Sequence, residues 1–505
     1  MVLLTRRDAI NARITSKNKI LAVLLTGVVF LIVPILIIIL DPIHLIIKYK
    51  LRLTKDSILY ELLQQEMQAG RLSVYVFNIT NSERFLSGED YKLKVEEVGP
   101  FVFQEYRWYE DLEPSEDGTR MAMTAKVRTE FIPEESLAHP KDVILRLPNL
   151  PLLSSASLLS NYPSFIRSAF NLMITHLGAK PFLNLDVHNF LWGYNNPIIK
   201  ILNGLAPGVV YFDSFGLLDR LYDNTSDYRI EVGATDKDRF EIKWVKKYRH
   251  LKMGGIEDVE ESIQTFNNTY EAEGYPPNLT PEVPINFYRL GICRTFALQY
   301  IGSRIMDYGG EALIYTISND TFMGEVDPIT LKPYPYGVID ISKCYYGLPF
   351  VLSKSHFIDS DPILRERLEG LNPDRDVHIN EVAIDRRVSV TYKTKLSLQV
   401  SMMVDDVSFN NMTKMLSNTV IPIAYARVDQ PKLPEWMMSK LILVYQKAPI
   451  VVKCIIVVML LISIALIFHA VRLVYLNRLT RSKVIVFKQT AGKILEKAER
   501  PLMRN

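Results

Sequence analysis

The sequence predicts an α+β protein that is anchored in a membrane by one helix near each end and carries a large ectodomain between the two helices. Three observations support this class. Two long apolar runs occupy residues 20–40 and 450–471. Between them, some segments have an apolar residue at every second position, which is typical of β-strands. Others have one at every third or fourth position, which is typical of amphipathic helices.

The first apolar run contains no charged residue. As a helix it would span roughly 30 Å, the thickness of the hydrocarbon core of a bilayer. A cleaved signal peptide would have an apolar core of only about 7–15 residues, followed by small residues at the cleavage site. Here the run is followed by Asp41 and Pro42. We therefore expect a retained signal-anchor helix.

The orientation of both helices follows from the charges beside them. The second run carries a single charge, Lys453, close enough to its start for the side chain to reach the interface. Residues 1–19 hold five basic residues and one acidic residue, and residues 472–505 hold nine basic and two acidic residues, so that the middle of this +3 chain carries −8. Because basic residues favour the cytosolic side, we expect two cytosolic tails and an extracellular or lumenal ectodomain at 41–449.

The sequons and cysteines agree with a secretory ectodomain. All six Asn-x-Ser/Thr sequons lie between the spans, at Asn78, Asn224, Asn267, Asn278, Asn319 and Asn411, and we expect glycans there. Cys293 and Cys344 are the only ectodomain cysteines, since Cys454 lies in the second span. In an oxidising compartment a disulfide between them and two free thiols are both compatible with the sequence.

Within residues 41–449 the pattern predicts one large mixed domain. A helix is expected at 55–70, followed by strands at 72–80 and 119–131. Residues 152–203 form a predicted helical cluster, with helices that begin at Pro163, after the capping residue Asp186, and at Asn196. The clearest strand is 388–404, where the even positions are mostly apolar, so that one face should be buried and the other solvated.

Catalytic and metal-binding motifs are absent. The chain has no G-x-S-x-G, no G-x-x-x-x-G-K and no H-E-x-x-H, and its eight histidines show no ligand spacing. Acidic pairs such as Asp405-Asp406 are more typical of a solvated face than of a catalytic pair. We therefore predict a protein that is not an enzyme and that holds no cofactor, metal ion or nucleic acid.

Seven stretches together carry a family resemblance that covers nearly the whole chain. They are residues 98–105 (Val-Gly-Pro-Phe-Val-Phe-Gln-Glu), 147–152, 191–194 (Leu-Trp-Gly-Tyr), 293–294, 337–344, 355–357 (Ser-His-Phe) and 370–373 (Gly-Leu-Asn-Pro). In this order they resemble the signatures of the class B scavenger receptors. That family includes fatty-acid and lipoprotein receptors, a lysosomal integral membrane protein and insect sensory neuron membrane proteins.

The resemblance implies an ectodomain with an irregular antiparallel β-barrel core and a helical bundle at its membrane-distal apex. It also implies a tunnel through the barrel towards the bilayer. The predicted cluster at 152–203 would then be the apex. A lysine near the apex is implicated in fatty-acid capture in the fatty-acid receptor, and Lys180 lies two residues from the corresponding place.

These expectations define a candidate ligand site at residues 152–182. Phe165, Phe170 and Phe182 are candidates for contact with an acyl chain, and Arg167 and Lys180 for contact with an anionic head group. Core packing is the alternative role for each phenylalanine.

Two functions fit the sequence. The first is a receptor that binds lipids, such as fatty acids, sterols or phospholipids, or lipoprotein particles at the apex and passes lipid through the tunnel. The second is a trafficking receptor that carries a lumenal protein to lysosomes, since Glu499, Leu502 and Met503 resemble an acidic dileucine signal whose glutamate is one residue too close. A basic amphipathic tail with an accidental Leu-Met is the alternative. The expected location is the plasma membrane, the endosome-lysosome system, or both.

Overall fold

The computed structural model describes residues 17–205, 210, 212–219, 221–222, 226–251, 255–261, 266–271, 274–323, 325–326, 333–345, 347–430 and 433–499. Two compact units are present. One is Lys50–Met437, and the other is formed by helical segments that precede and follow these residues in the sequence.

The terminal unit is a pair of apolar helices. Helix α1 (Lys17–Leu40) is followed by α2 (Pro42–Lys50), and α10 (Glu435–Ile442) leads through a π-helical segment at Leu443–Lys447 into α11 (Ala448–Glu499). Both α1 and the α10–α11 segment contain a stretch long and apolar enough to cross a bilayer. They include the two predicted spans.

Close contact between α1 and α11 depends on small residues. The hydroxyl of Ser463 donates to the carbonyl of Gly27 at 2.7 Å, and both residues are buried. A Cβ at Gly27 would lie 2.9 Å from Ile467 Cγ1 and 3.3 Å from the Ile467 nitrogen. Only glycine therefore permits this approach, as is common for packed helices in membranes.

The unit at Lys50–Met437 is mixed α+β, as predicted. Its remaining helices are α3 (Ile58–Gln64), α4 (Ser82–Ser87), α5 (Leu150–Leu159), α6 (Ser164–His176), α7 (Val187–Trp192), α8 (Pro197–Leu205) and α9 (Ile363–Glu366). Its strands are β1 (Met67–Ile79), β2 (Leu93–Pro114), β3 (Arg120–Phe131), β4 (Ile144–Pro148), β5 (Phe182–Asp186), β6 (Tyr194–Asn195), β7 (Ser214–Phe215), β8 (Ser226–Gly233), β9 (Ile242–Leu251), β10 (Gly255–Glu261), β11 (Thr269–Tyr270), β12 (Ile285–Arg289), β13 (Arg294–Ile305), β14 (Glu311–Ile317), β15 (Val338–Asp340), β16 (Phe350–Lys354), β17 (Leu368–Glu369), β18 (Glu381–Asp385), β19 (Thr391–Val404) and β20 (Thr419–Asp429).

Most strands belong to one large, nearly closed and mainly antiparallel barrel. Its strand order is β10-β9-β8-β3-β2-β1-β20-β19-β18-β14-β13-β12-β11. The two ends of the sheet approach each other at an isolated bridge between Glu241, beside β9, and Tyr270 of β11. The Asn268 backbone N–H also donates to Glu241 Oε1 at 2.8 Å. The expected barrel core is confirmed.

The interior of the barrel can be identified from contacts that cross it. Strands β2 and β12 are far apart in the sheet order, yet Glu105 of β2 lies 2.9 Å from Arg289 of β12. Glu105 also accepts a hydrogen bond from the Tyr222 hydroxyl at 2.8 Å. Because alternate residues of a strand share a face, Phe103 and its cross-strand partner Leu72 face inwards as well.

The predicted helix at 55–70 is shorter in the structure. Ser57 caps α3 by accepting from the Tyr60 N–H at 3.1 Å, and α3 ends at Gln64. Met67 already pairs with Arg107 of β2, so that sheet pairing outweighs the helical spacing. Gly70 is not a helix stop: a Cβ there would lie 2.6 Å from a methyl group of Val428 on the neighbouring β20.

The predicted strand at 388–404 is β19. Its even positions Met402 and Val404 are buried as predicted, but over residues 396–401 the buried face is the opposite one. Ser397, Gln399 and Ser401 are fully buried, whereas the even positions Leu396 and Leu398 are only partly buried. The polar side chains are satisfied locally. The Ser397 hydroxyl lies 2.7 Å from that of Ser355, and Gln399 Oε1 accepts from the His356 N–H at 2.8 Å.

Candidate functional site

The predicted helical cluster is present as α5–α8. Helix α5 is almost wholly buried, and the Ser157 hydroxyl donates to Asp405 Oδ2 at 3.2 Å just beyond β19. Helix α7 begins after Asp186, whose carboxylate accepts from the Asn189 N–H at 2.9 Å, as the sequence predicts. Helix α8 begins at Pro197, and Asn196 Oδ1 accepts from the Ile198 N–H at 3.0 Å.

Helix α6 has one buried face and one exposed apolar face. Pro163 precedes its first turn, and Gly178, at φ +60°, follows its last residues. Phe170 and Ile174 are 5% and 0% exposed and pack into the core. On the other side Phe165 is 71% exposed and Leu172 74%, and Tyr162, just before the helix, is 52% exposed. We call these three residues the exposed face of α6.

The five predicted ligand contacts do not share one environment. Phe165 and Lys180 are exposed, and the Arg167 guanidinium, partly buried, lies 5.5 Å from the ring centroid of Phe409. Phe170 and Phe182 are 5% and 0% exposed. A ligand at the surface of the cluster would not touch these two rings, because they fill the core beneath it. Their observed role is packing, the alternative that the sequence left open.

The two ectodomain cysteines are bonded. Cys293 follows β12 and Cys344 precedes β16, and their Cα atoms are 5.9 Å apart across a sequence separation of 51 residues. Cys344 is 2% exposed, so that the bond joins two loops inside the core.

Four of the predicted glycosylation sites have exposed asparagines, at Asn267, Asn278, Asn319 and Asn411. Asn78 is half-buried in β1, where its Oδ1 accepts from the Arg146 N–H at 2.9 Å. Asn224 lies outside the described residues, as do Leu502 and Met503. Glu499 ends α11.

A second cluster, of one glutamate and two histidines, was not indicated by the sequence. Residues in or beside the signature stretches form it. Glu97 lies next to Val98-Gly99-Pro100, His356 belongs to Ser-His-Phe, and His378 follows Gly-Leu-Asn-Pro. Their ligand-type atoms lie within 4.8 Å of one another. The two imidazole rings are 4.5 Å apart between centroids, and the Tyr425 hydroxyl donates to Glu97 Oε1 at 2.8 Å. The signature stretches themselves were the only signal that could have pointed to this cluster.

The hydrogen bonds of this cluster do not fit a metal ion. The N–H of Asn372 donates to His356 Nδ1 at 3.1 Å, and the N–H of Asp374 donates to His378 Nδ1 at 3.3 Å. In its neutral form each ring would therefore carry its proton on Nε2, and that atom of His356 lies 3.1 Å from Glu97 Oε2. A metal-bound histidine normally donates from its other nitrogen. Here the other nitrogen accepts, so that binding through Nε2 would leave the ring without a proton.

Burial and neighbouring charges shift two pKa values in the cluster. Burial acts to raise the pKa of Glu97, but the hydrogen bonds from His356 and Tyr425 and the nearby histidine charges outweigh it, so that the pKa lies below its ordinary value. Burial, followed by the charge of His356, lowers the pKa of His378. The arrangement thus favours an ionised carboxylate beside a neutral His378.

Comparison with known proteins gives a consistent result. The model of the CD36 family matches residues 21–474. Scavenger receptor class B member 1 from Bos taurus is 26% identical over 414 residues, which cover 79% of this chain and 78% of that protein. The same receptor from Rattus norvegicus is 26% identical over 366 residues, with 70% and 69% coverage. Lysosome membrane protein 2 from Homo sapiens is 22% identical over 361 residues, with 70% and 72% coverage.

Proposed function

The chain belongs to the CD36 family and is a two-pass membrane protein, and from this premise we propose that it is a receptor that binds lipids or lipoprotein particles on the exposed face of α6. We further propose that it passes lipid along the interior of its barrel to the membrane. Its relatives bear the names of a scavenger receptor and a lysosome membrane protein, which supports a receptor rather than an enzyme.

The exposed face of α6 is the observation that carries this proposal. Phe165 and Leu172 keep 71% and 74% of their surface in water, although the opposite face of the same helix is buried. Burying a side chain of this size contributes about 1.5–3 kcal/mol. Clustered exposed apolar residues mark surfaces that bind another apolar surface. An acyl chain or the surface of a lipoprotein particle would supply one.

Basic groups beside this face suit an anionic head group. Lys180 is exposed just after α6, and Arg167 is partly buried on the helix itself. Guanidinium and ammonium groups make strong, charge-assisted hydrogen bonds to carboxylates and phosphates. The predicted role of Lys180 in head-group capture remains part of this proposal.

The proposed route for lipid follows the inner face of the β1–β20–β19 wall. Leu398 pairs with Ala426 and Leu396 with Val428, and these two β20 residues pair with Val74 and Leu72 of β1. Leu396, Leu398 and Val428 are only partly buried, so that they have surface to offer a ligand. A continuous apolar path would spare a moving chain the cost of hydration, about 0.8 kcal/mol per methylene.

A second candidate function is suggested by the similarity to lysosome membrane protein 2. In this case the exposed face of α6 would bind a lumenal protein, and the receptor would carry it to lysosomes. Imaging of the tagged protein tests this alternative. The double change Leu502→Ala, Met503→Ala should abolish lysosomal delivery if the tail carries the signal, and unchanged delivery would count against a signal at these residues.

The experiment that tests the receptor proposal compares apolar and charged versions of the same face. The double variant Phe165→Glu, Leu172→Glu should weaken binding of lipoprotein particles or lipid vesicles. If each side chain loses about 1 kcal/mol of burial, the combined loss is roughly 30-fold. Lys180→Glu should weaken the binding of anionic vesicles more than that of neutral ones.

Ile305→Glu is the matched control, because Ile305 is an equally exposed apolar residue (69%) on strand β13 rather than on α6. It should leave binding unchanged. Normal surface delivery of all variants would show that they fold. If the α6 variants bind every tested particle and vesicle as the unaltered protein does, the receptor proposal is wrong.

A further inference from the structure

A concave site lies at the corner formed by β2 and β3, next to α7 and lined by no residue of α6. Its volume is about 330 Å³, and it is formed where α7 and the loop after β3 cover the inner face of the β2–β3 corner. Three aromatic side chains, Phe103, Phe131 and Trp192, line it together with His139, Lys141 and His188. We call it the corner pocket. Its volume lies at the lower end of the range of small-molecule sites.

The apolar part of the corner pocket is built from aromatic pairs. Phe103 of β2 and Phe131 of β3 are cross-strand partners, with ring centroids 5.6 Å apart. Trp192 of α7 meets Phe103 edge-on at 5.4 Å. Because Phe103 is on the same face of β2 as Glu105, the aromatic part of the pocket lies on the face of β2 that is directed into the barrel.

The polar part consists of three basic side chains on two segments that backbone hydrogen bonds join. The His188 N–H donates to the Pro140 carbonyl at 3.1 Å, and the Val187 N–H to the Val143 carbonyl at 3.0 Å, so that α7 is fixed against the loop. The Lys141 N–H donates to His139 Nδ1 at 3.3 Å. Among the described residues, none of the three basic side chains forms an ion pair.

Asp186, the acidic residue whose charge acts on His188, is already engaged in hydrogen bonds elsewhere. Asp186 uses its carboxylate to accept from both the backbone N–H and the side-chain amide of Asn189, at 2.9 and 2.7 Å. Lys141 therefore lies beside an aromatic wall without an ion pair among the described residues, and two imidazoles lie next to it. This combination suits a ligand with an anionic head and an apolar body.

We propose that the corner pocket binds the carboxylate head of a long-chain amphipathic anion between Lys141, His139 and His188, with its first methylenes against Phe103, Phe131 and Trp192. This proposal rests on the proposed function, since it assumes that the protein receives lipid. It adds a site on α7 and the loop after β3 for the anionic lipids of that proposal.

The site would also couple binding to protons. Burial, followed by the charge of Lys141 and then a smaller effect of His139, lowers the pKa of His188, whereas Asp186 acts in the opposite direction. An anion in the pocket would raise this pKa, because it favours the charged imidazole. The protonated protein is therefore expected to bind the anion more tightly, and binding should strengthen as the pH falls from 7.4 to 5.5.

The test uses the full-length protein in nanodiscs and a dodecanoic acid that carries a photoreactive diazirine. After irradiation, mass spectrometry locates the labelled peptides, and unlabelled dodecanesulfonate serves as competitor because its charge is fixed at every pH used. We expect label in the peptides that contain residues 131–143 and 187–192. Lys141→Ala should weaken competition about fivefold, the effect of losing one partly solvated charge-assisted bond. Lys126→Ala, a basic residue elsewhere on β3, is the matched control.

The outcomes separate this proposal from the proposed function. If the label is confined to α6, is lost in Lys180→Ala and is kept in Lys141→Ala, the proposed binding to the corner pocket is wrong. The receptor proposal then stands. No competable label anywhere would overturn both. Competition by dodecanesulfonate should tighten at pH 5.5, and His188→Gln should remove this change. Competition that does not depend on pH in the unaltered protein would refute the proton coupling.

Discussion

The disulfide between Cys293 and Cys344 offers the most direct test of what stabilises the ectodomain. It closes a loop with a sequence separation of 51 residues. On the chain-entropy model, a loop of this length contributes about 4 kcal/mol by restricting the unfolded chain. The double variant Cys293→Ala, Cys344→Ala removes the bond without leaving an unpaired thiol. We expect it to lose most of that free energy of unfolding.

The expected change in melting temperature follows from the size of the folded unit. Lys50–Met437 comprises about 390 residues. At about 2.1 cal/mol/K per residue its entropy of unfolding is near 0.8 kcal/mol/K, so that a loss of 4 kcal/mol lowers the melting temperature by about 5 °C. Differential scanning fluorimetry of the purified protein, without reductant, measures this shift.

Cys454→Ala is the matched control, because Cys454 is the free, exposed cysteine of the second membrane helix. It should not shift the melting temperature. Reducing the unaltered protein should reproduce the shift of the double variant. If the double variant melts within 1 °C of the unaltered protein, or if peptide mapping without reductant finds both thiols free, the reasoning fails.

Three further predictions concern acidification, the membrane helices and the glycans. The pKa of His378 is lower in the folded protein than in the unfolded chain, so that below about pH 6.5 proton uptake favours the unfolded chain. The melting temperature should therefore fall between pH 7.5 and 5, and it should fall less in His378→Phe. The lowered pKa of Glu97 reduces the stability of the fold only below about pH 4.5. A melting temperature that does not change between pH 7.5 and 5 would contradict the argument from His378. Gly27→Val should destabilise the helix pair by about 1–3 kcal/mol, because the larger side chain overpacks the contact. Ser463→Ala should destabilise it by about 0.6 kcal/mol, because it removes the hydrogen bond to Gly27. Thermal melting in detergent measures both effects, with the exposed change Ala22→Val as the control. Single Asn→Gln changes at the four exposed sequons should each reduce the mass of the glycosylated protein. Asn78→Gln should reduce it least, because Asn78 is half-buried in β1. A large reduction in Asn78→Gln would mean that β1 is glycosylated before it pairs with its neighbouring strands.

Local signals in the sequence were sufficient for the helical cluster. A proline before α6, a glycine after it, and Asp186 before α7 are short-range features whose physical effect does not depend on the rest of the fold. The same is true of the alternation in β3, where Met121 and Met123 are buried. The barrel itself was predicted only from the resemblance to a family, because closure depends on pairings between distant strands.

The predictions from sequence were wrong where the burial of a side chain depends on a packing partner elsewhere in the chain. Strand β19 shows a regular apolar face, but the layer that contains Ser355 and His356 covers its other face, and the small polar residues there fit this layer. Spacing along the chain likewise could not bring Glu97 and His378 together, since they are 281 positions apart. The exposed position of Phe165 and the buried position of Phe182 were also not distinguishable from their residue type alone.

The near-closure of the barrel at Glu241 and Tyr270 has a mechanical consequence. The wall of a barrel is a ring of paired strands, and it opens most easily where the pairing between two strands is weakest. The joint between β19 and β20 is a ladder of ten paired residues, whereas the described residues around the Glu241–Tyr270 seam supply one bridge and two side-chain bonds, Asn268 to Glu241 and Arg239 to the Tyr275 carbonyl. Thermal breathing of the wall should therefore concentrate at this seam, and its amide hydrogens should exchange with solvent long before those of β19. A molecule enclosed by the barrel would have a residence time governed by that seam rather than by unfolding of the wall as a whole.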